Sequence, residues 1–371
     1  MVSGSTGVRL FSGVLLVKMW IMAGDMRAVD VAVIGVGRMG RLHARIYAQL
    51  AEANLVAVVD RDEDHRETVA DDHGCMAYAD IDTLLAAHPQ LAAASIAVPT
   101  LHHSTAAEPL LQRGIACLVE KPLALNVVEA GSLADLADQC GAILQVGHTE
   151  RFNPAVRAVD LLEVTPRFME VDRVSPMTFR SLDIGVVMDM MIHDLDIVLH
   201  FADSPLRDVS AAGVAVLAEH EDVANARLVF DSGCVANLTA SRLALKTQRK
   251  LRLFSEEAYV SLDYQKRSGV LIRKSGNAVA LERVKQQIAD GVDLSDLEYA
   301  DLVRVEQLAM DLPPGHDDPL TAELSSFLGA VRRGGPPDVD ARAGCAAIDA
   351  AQRVVASLRE HHWEGLAQPR V

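Results

Sequence analysis

Residues 29–40 read VDVAVIGVGRMG. The apolar run Val29–Gly35 has strand character, and a helix-forming stretch, Met39–Ala51, follows it. Between them lies Gly35-Val36-Gly37-Arg38-Met39-Gly40, the glycine spacing of a phosphate-binding turn in a βαβ unit. Gly35 permits the tight turn. Gly37 has no side chain to keep the backbone away from a pyrophosphate, and Gly40 lets helix and strand pack closely. The helix start offers free N–H groups and a positive dipole end to phosphates. The second apolar run ends in Asp60, where a carboxylate receives two ribose hydroxyls and repels a 2′-phosphate. NAD is therefore favoured over NADP, although Arg61 and Arg66 stand close by. The bland reading of Asp60 is a solvated strand end.

Outward from this turn the pattern alternates. Further apolar runs at Leu55–Asp60, Leu91–Val98, Ile115–Glu120 and Ala142–Val146 are separated by helical stretches at Glu63–His73, Ile81–Ala87, Ser104–Arg113 and Val127–Cys140. Continuous apolar strands between helices mean a parallel sheet buried on both faces. Asn126 is placed to cap the last of these helices, with Glu129 as its capping-box partner and Gly141 as its stop. The expected fold class is α/β: a doubly wound parallel Rossmann sheet over residues 29–147.

After Gly147 the texture changes. One strong helix, Val186–Phe201, is followed by closely spaced strand-like segments, among them Val209–Leu217, Val223–Phe230, Cys234–Ser241, Lys250–Phe254, Tyr259–Asp263 and Val270–Arg273. Strands in immediate succession form an antiparallel sheet. Residues 148–371 are expected to form an α+β domain for substrate binding and oligomerisation, closed by helices near Thr321–Arg332 and Cys345–Arg359. The length of 371 residues agrees with two domains. Residues 1–28 read as an extension: Phe11–Ala23 is a short apolar run broken by Lys18, too short to span a bilayer. Met22 or Met26 is a candidate for the true start.

Composition narrows the function classes. A net charge of −16 makes the chain a poor partner for nucleic acid or an anionic membrane. The five cysteines are odd in number and include no CxxC pair, which points to reduced thiols in a cytoplasmic protein.

Three clusters carry candidate chemistry. Val98-Pro99-Thr100, with His103 beyond it, and Glu120-Lys121-Pro122 close two of the parallel strands at their C-terminal ends, where open α/β sheets place ligands. Lys121 there either neutralises a substrate oxygen or is a surface lysine. The third cluster is Asp189, His193, Asp196 and His200, which share a sector of roughly 60° on an otherwise apolar helix. Asp189 and His193 at i and i+4 suit a general base with its orienting acid. A metal site and a polar seal at a domain junction are the rival readings.

In the order GVGRMG, VPTLHH, VEKP and DMMIHDLD, the chain resembles the Gfo/Idh/MocA oxidoreductases, the family of glucose–fructose oxidoreductases and inositol dehydrogenases. The resemblance covers about Val29 to Leu358. It implies a Rossmann domain followed by a large, mostly antiparallel sheet often used for oligomer contact, and activity without a metal. It implies cofactor contacts from Gly35, Gly37, Arg38, Met39, Gly40, Asp60, Pro99, Thr100, His103, Glu120 and Lys121. Lys121 becomes the lysine beside nicotinamide and substrate, and Asp189 and His193 the acid/base pair.

A narrower likeness joins Gly147–Ala155 (GHTERFNPA), Arg173–Pro176, Asn225–Arg227, Cys234–Arg242 and Arg249–Phe254 to the UDP-N-acetylglucosamine 3-dehydrogenases. It implies oxidation of a sugar 3-hydroxyl to a ketone, with a downstream aminotransferase and a product used in lipid A biosynthesis. Ser181-Leu182 departs from the more polar or glycine-containing loop of that subgroup. A UDP-sugar carries a pyrophosphate, which suits paired guanidinium bonds. Arg151, Arg173, Arg180, Arg242 and Arg249 lie in or beside these segments; with Asn153 they supply the expected substrate contacts, although some of the arginines are surface ion pairs. In the expected mechanism His193 takes the hydroxyl proton and Lys121 steadies the developing alkoxide; Lys121 as the main base stays open. The rivals are a dehydrogenase of another sugar, inositol or nucleotide-sugar uronate, and a non-catalytic dinucleotide-binding regulator. A homo-oligomer is expected.

Overall fold

The computed structural model describes residues 28–162, 164–178, 184–274, 284–286, 289–290, 303–308, 310 and 318–362. The N-terminal extension, Arg180 and the Ser181-Leu182 departure therefore lie outside the described residues, apart from Ala28.

The first half builds the expected parallel sheet. Its strands are β1 (Val29–Ile34), β2 (Ala53–Val59), β3 (Met76–Tyr78), β4 (Ala93–Ile96), β5 (Ala116–Glu120) and β6 (Leu144–Gly147). All pair in parallel, in the order β3-β2-β1-β4-β5-β6. The order reverses between β1 and β4, and ligands of such sheets bind in the crevice at that switch point. The helices between the strands are α1 (Arg38–Gln49), α2 (Glu63–His73), α3 (Ile81–Ala87), α4 (His103–Leu111) and α5 (Val127–Cys140). β4 and β5 are buried at every position, which explains their unbroken apolar sequence. α5 starts as its capping residues require: Asn126 Oδ1 accepts the Glu129 N–H at 3.0 Å. The Glu129 carboxylate turns elsewhere, accepting from Leu125 N–H and Ser104 Oγ.

The second sheet has eight strands in the order β14-β13-β12-β11-β7-β10-β9-β8. They are β7 (Phe168–Val174), β8 (Leu206–Val214), β9 (Val223–Phe230), β10 (Val235–Ser241), β11 (Gln248–Phe254), β12 (Ala258–Asp263), β13 (Ser268–Lys274) and β14 (Val303–Gln307). Every pair is antiparallel except β7 with β10. β7, absent from the expected strands, lies fourth from the β8 edge. Its inward positions are Met169, Val171 and Arg173, so a charged residue on the core face breaks the apolar alternation. A short helix, α6 (Pro154–Asp160), precedes β7. The helix expected over Val186–Phe201 opens instead with a π-turn, Val187–Met191, before α7 (Ile192–Ala202).

The chain ends in α8 (Pro319–Arg333) and α9 (Ala341–Glu360). These do not keep to the side of the second sheet. Leu320, Leu324, Phe327 and Leu328 of α8 pack with Val31, Tyr47 and Leu118 in the core of the first sheet. Val146 N–H donates to Val339 O, and Gln145 forms a bridge with Asp340. The boundary expected at residue 147 is thus crossed by the closing helices.

Candidate functional site

The dinucleotide turn has the geometry its glycines allow. Gly35 has φ +84°, and a Cβ there would lie 2.7 Å from a Val98 methyl. A Cβ on Gly40 would lie 1.8 Å from the Gly35 carbonyl oxygen. At Gly37 a Cβ would meet nothing within 4 Å. That open space belongs to a cavity of about 780 Å³ lined by Gly35, Gly37, Arg38, Met39, Asp60 and Pro99. Asp60 is held in place by its own backbone: Oδ2 accepts the Val36 N–H at 2.8 Å and Oδ1 the Asp62 N–H at 3.0 Å. The remaining lone pairs are free for hydroxyl donors. The crevice therefore fits a dinucleotide on both counts, open backbone at the turn and a fixed carboxylate at the end of β2.

Two smaller cavities adjoin it. One, of about 510 Å³, shares Met39, Val98 and Pro99 with the crevice and adds Thr100, His103, Glu120, Lys121, Gly147, Thr149, His193 and Arg249. The other, of about 370 Å³, is lined by Lys121, Arg173, Ser175, Asp189, His193, Arg242 and Arg249. Arg38 reaches all three. Lys121, from the end of β5, and His193, from the start of α7, thus line the same two cavities.

Lys121 Nζ donates to the Asp189 backbone oxygen at 3.0 Å. Burial pulls its ammonium below the ordinary lysine range, against the opposing charges of Asp189 and Glu120. The peptide bond from Lys121 to Pro122 is cis. His193 is driven well below the ordinary histidine range by burial and then by the positive charges of Lys121 and Arg173. The ring is therefore neutral, and one of its nitrogens keeps an open lone pair.

The expected hydrogen bond from the His193 ring to the Asp189 carboxylate does not form. His193 Nδ1 is buried without a partner. A π-turn runs through Asp189 and ends two residues before His193. Asp189 acts on Lys121 instead. The rest of the polar stripe also parts company. Asp196 is buried, 3.8 Å from Arg151 Nε, and His200 pairs with Asp160 at 2.6 Å on the far end. Among the described residues no group of three His, Cys, Asp or Glu could hold a metal ion.

The expected substrate arginines divide. Arg173 is 3% exposed and fully engaged: Nε and Nη2 donate to the Asp194 carboxylate at 2.6 and 2.9 Å, and Nη1 donates to Glu150 at 3.0 Å. Arg242 is likewise buried, donating to Asp222 and to the Ile184 oxygen. These two brace the cavity wall, and their hydrogen bonds are taken up by the protein. Asn153 caps α6 through the Ala155 N–H and donates to Glu150, so it too is structural in place. Arg249 shares Glu150 at 3.0 Å, is 46% exposed at its side chain, and faces both cavities. Burial pushes the Glu150 carboxyl up, but Arg173 and Arg249 outweigh it and hold it ionised. His103 is also committed: Nδ1 faces Pro122 O at 2.9 Å and Nε2 faces Val98 O at 3.0 Å. It ties the two strand-end motifs together at the cavity wall.

Sequence reasoning missed the residues behind the cavity floor. His43 of α1 is fully buried, and its Nε2–H donates to Glu120 Oε1 at 3.0 Å. Glu323 of α8 is fully buried and accepts Thr149 Oγ1–H at 2.9 Å. A signal for Glu323 was present: it lies on the same helix face as Leu320, Leu324 and Phe327, where a charge is out of place.

Residues 29–148 match the oxidoreductase family with an NAD-binding Rossmann fold, GFO/IDH/MocA, and residues 163–261 match the GFO/IDH/MocA C-terminal domain. The chain is 34% identical over 324 residues to the UDP-N-acetylglucosamine 3-dehydrogenase of Acidithiobacillus ferrooxidans, covering 87% of this chain and 95% of that one. Its structure superposes with a TM-score of 0.79, at 32% identity, over 90% of this chain and 99% of the other. The inositol 2-dehydrogenase of Rhizobium meliloti is 28% identical over 355 residues, 90% of this chain and 98% of that one.

Proposed function

The chain belongs to the GFO/IDH/MocA oxidoreductase family, whose Rossmann domain binds NAD, and from that premise we propose that it oxidises the 3-hydroxyl of UDP-N-acetylglucosamine to a ketone. The observation that carries this reading is the convergence of Lys121 and His193 on the same two cavities beside the dinucleotide crevice. Identity to a dehydrogenase of that nucleotide sugar supports the choice of substrate.

NAD, when bound, supplies the nicotinamide that accepts the hydride. Gly35, Gly37 and Gly40 leave the backbone N–H groups of the turn open, where they would hold its pyrophosphate, and Asp60 would hold a ribose. His193, neutral at rest, takes the proton from the sugar hydroxyl. Lys121, fixed by the Asp189 carbonyl, places its ammonium on the same oxygen and stabilises the negative charge as it develops. Arg249 and Arg38 offer guanidinium groups to the sugar's diphosphate. Arg173 keeps Asp194 and Glu150 neutralised behind them.

Two further proposals accompany this one. A partner aminotransferase would draw off the ketone, whose formation is unfavourable alone. The chain acts as a homo-oligomer in the cytoplasm; Phe168, Phe254 and Tyr259, which touch in a partly exposed row on the outer face of the second sheet, support association of copies.

The test is to mix the protein with NAD and UDP-N-acetylglucosamine and follow nicotinamide absorbance, with and without an aminotransferase to remove the ketone. Reduction of NAD by the nucleotide sugar is expected. Reduction by inositol or a free sugar, with none by the nucleotide sugar, assigns the chain to another substrate class within the family.

A further inference from the structure

Seven buried side-chain atoms among the described residues have no hydrogen-bond partner, and six belong to one neighbourhood: Nδ1 of His43, His148 and His193, Oε1 of Gln145 and Glu323, and Oδ2 of Asp196. Buried polar groups are almost always satisfied, so a concentration of open valences marks a place with a task. The groups come from α1, β6 and the turn after it, α7 and α8. His43 reaches Glu120 at 3.0 Å, Gln145 Nε2 reaches the Glu323 backbone oxygen at 3.5 Å, and Thr149 reaches the Glu323 carboxyl at 2.9 Å. Gly147 and Thr149, the residues on either side of His148, line the same cavity as His193 and Lys121. His148 itself is 1% exposed.

Resting on the function proposed above, we propose that His148 is a relay residue, receiving at Nδ1 the proton that His193 passes on from the substrate hydroxyl and holding it beside Asp196. The substrate O–H bond breaks as an N–H bond forms at His193 Nε2. The proton on His193 Nδ1 leaves for His148 Nδ1 over a bridging water, so His193 ends neutral and His148 ends as imidazolium. The donor enters as the Nδ1–H tautomer and the acceptor as the Nε2–H tautomer, which their two unpartnered Nδ1 atoms permit.

The charges around His148 suit a transient cation. Asp196 of α7 attracts it, as does Glu120 at the end of β5. Arg151 of its own turn and Lys121 oppose it, and His193 is the ring that gives up the proton. Glu323 of α8 faces the same neighbourhood, and burial, with Glu120 next to it, keeps that acid neutral. Burial holds both histidines below their ordinary range, so each starts uncharged. The proton can thereby leave the reacting oxygen while cofactor and sugar close the cavity mouth.

The experiment compares wild type with His148→Gln. General-base effects run to about 10²–10⁴-fold, and a relay behind the base is expected to lower kcat by about tenfold to a hundredfold. KM and the Kd for NAD should stay within about twofold of wild type, the solvent isotope effect on kcat should change, and imidazole should restore rate to His148→Ala. A kcat within about twofold of wild type, or a loss confined to KM, overturns the relay. Should His148→Gln fail to fold, Asp196→Asn carries the same kinetic expectation. A substrate-independent arm follows the His148 ring by NMR across pH: Asp196→Asn should move its midpoint downward, because Asp196 is the charge that most favours the imidazolium, and an unmoved midpoint rejects Asp196 as the group that holds the proton there. If wild type reduces no NAD with the nucleotide sugar, the substrate reading falls, while the NMR arm still decides the relay.

Discussion

Thr149 Oγ1 donates a 2.9 Å hydrogen bond to Glu323 Oε2 across 174 residues of chain. It joins the turn after β6 to α8, and so ties the closing helices to the floor of the cavity that Lys121 and His193 share. Glu323 is fully buried there. Burial, and then the nearby Glu120 charge, push its carboxyl well above the ordinary value of 4.5.

A neutral Glu323 makes stability depend on pH in a definite direction. In the folded chain the acid keeps its proton; in the unfolded chain it ionises above pH 4.5. Its contribution is therefore complete below that pH and is lost as pH rises toward the folded value. Glu323→Gln is neutral in both states. Its advantage over wild type in denaturant midpoint should grow as pH rises above 4.5 toward the folded value. A difference independent of pH would mean that Glu323 is ionised in the fold.

If His193 is the base, as proposed, His193→Ala should lower kcat by about 10²–10⁴-fold with NAD affinity unchanged, because the ring does not line the large crevice. Lys121→Met should cost about 10²–10³-fold in kcat through the uncompensated alkoxide. Titration of NAD by fluorescence, alongside turnover, separates these losses from cofactor binding. Wild-type turnover by His193→Ala removes the histidine from the role of base.

The turn glycines separate folding from binding. Gly40→Ala drives a Cβ to 1.8 Å from the Gly35 oxygen, and overpacking of this kind costs about 1–3 kcal/mol or more of stability. Gly37→Ala meets only open space. It should fold with a Tm close to wild type and lose NAD affinity. Equal melting temperatures for the two variants would contradict the packing at Gly40.

The arginines should behave in opposite ways. Arg173→Met leaves Asp194 buried without its partner and should destabilise by about 3–5 kcal/mol. Arg249→Met should leave the fold nearly intact, since Glu150 keeps Arg173. Loss of a charged contact to the diphosphate is worth about 1.5–3 kcal/mol, or roughly a tenfold to hundredfold rise in KM for the nucleotide sugar. Denaturant melts and KM values measured on both variants test the contrast.

What local chemistry writes, the sequence determined alone. The glycine turn, Asp60 and the parallel strands follow from backbone freedom, burial pattern and position along a strand or helix, each of which spans a few residues; that Lys121 and His193 line one cavity was implied by resemblance and is a matter of tertiary structure. Tertiary structure decided which charges stay free. Arg173 carries the guanidinium that would suit a diphosphate, but Asp194 and Glu150 engage it at 2.6–3.0 Å. Asp189 and His193 have the spacing of a hydrogen-bonded pair, but no bond joins them, and the Asp189 carbonyl accepts from Lys121. Glu323 belongs to a helix that the sequence assigned to the other half of the chain. A buried charge takes its meaning from the opposite charge or the low-dielectric surroundings that meet it, and here those lie tens to hundreds of residues away, beyond the reach of any local pattern.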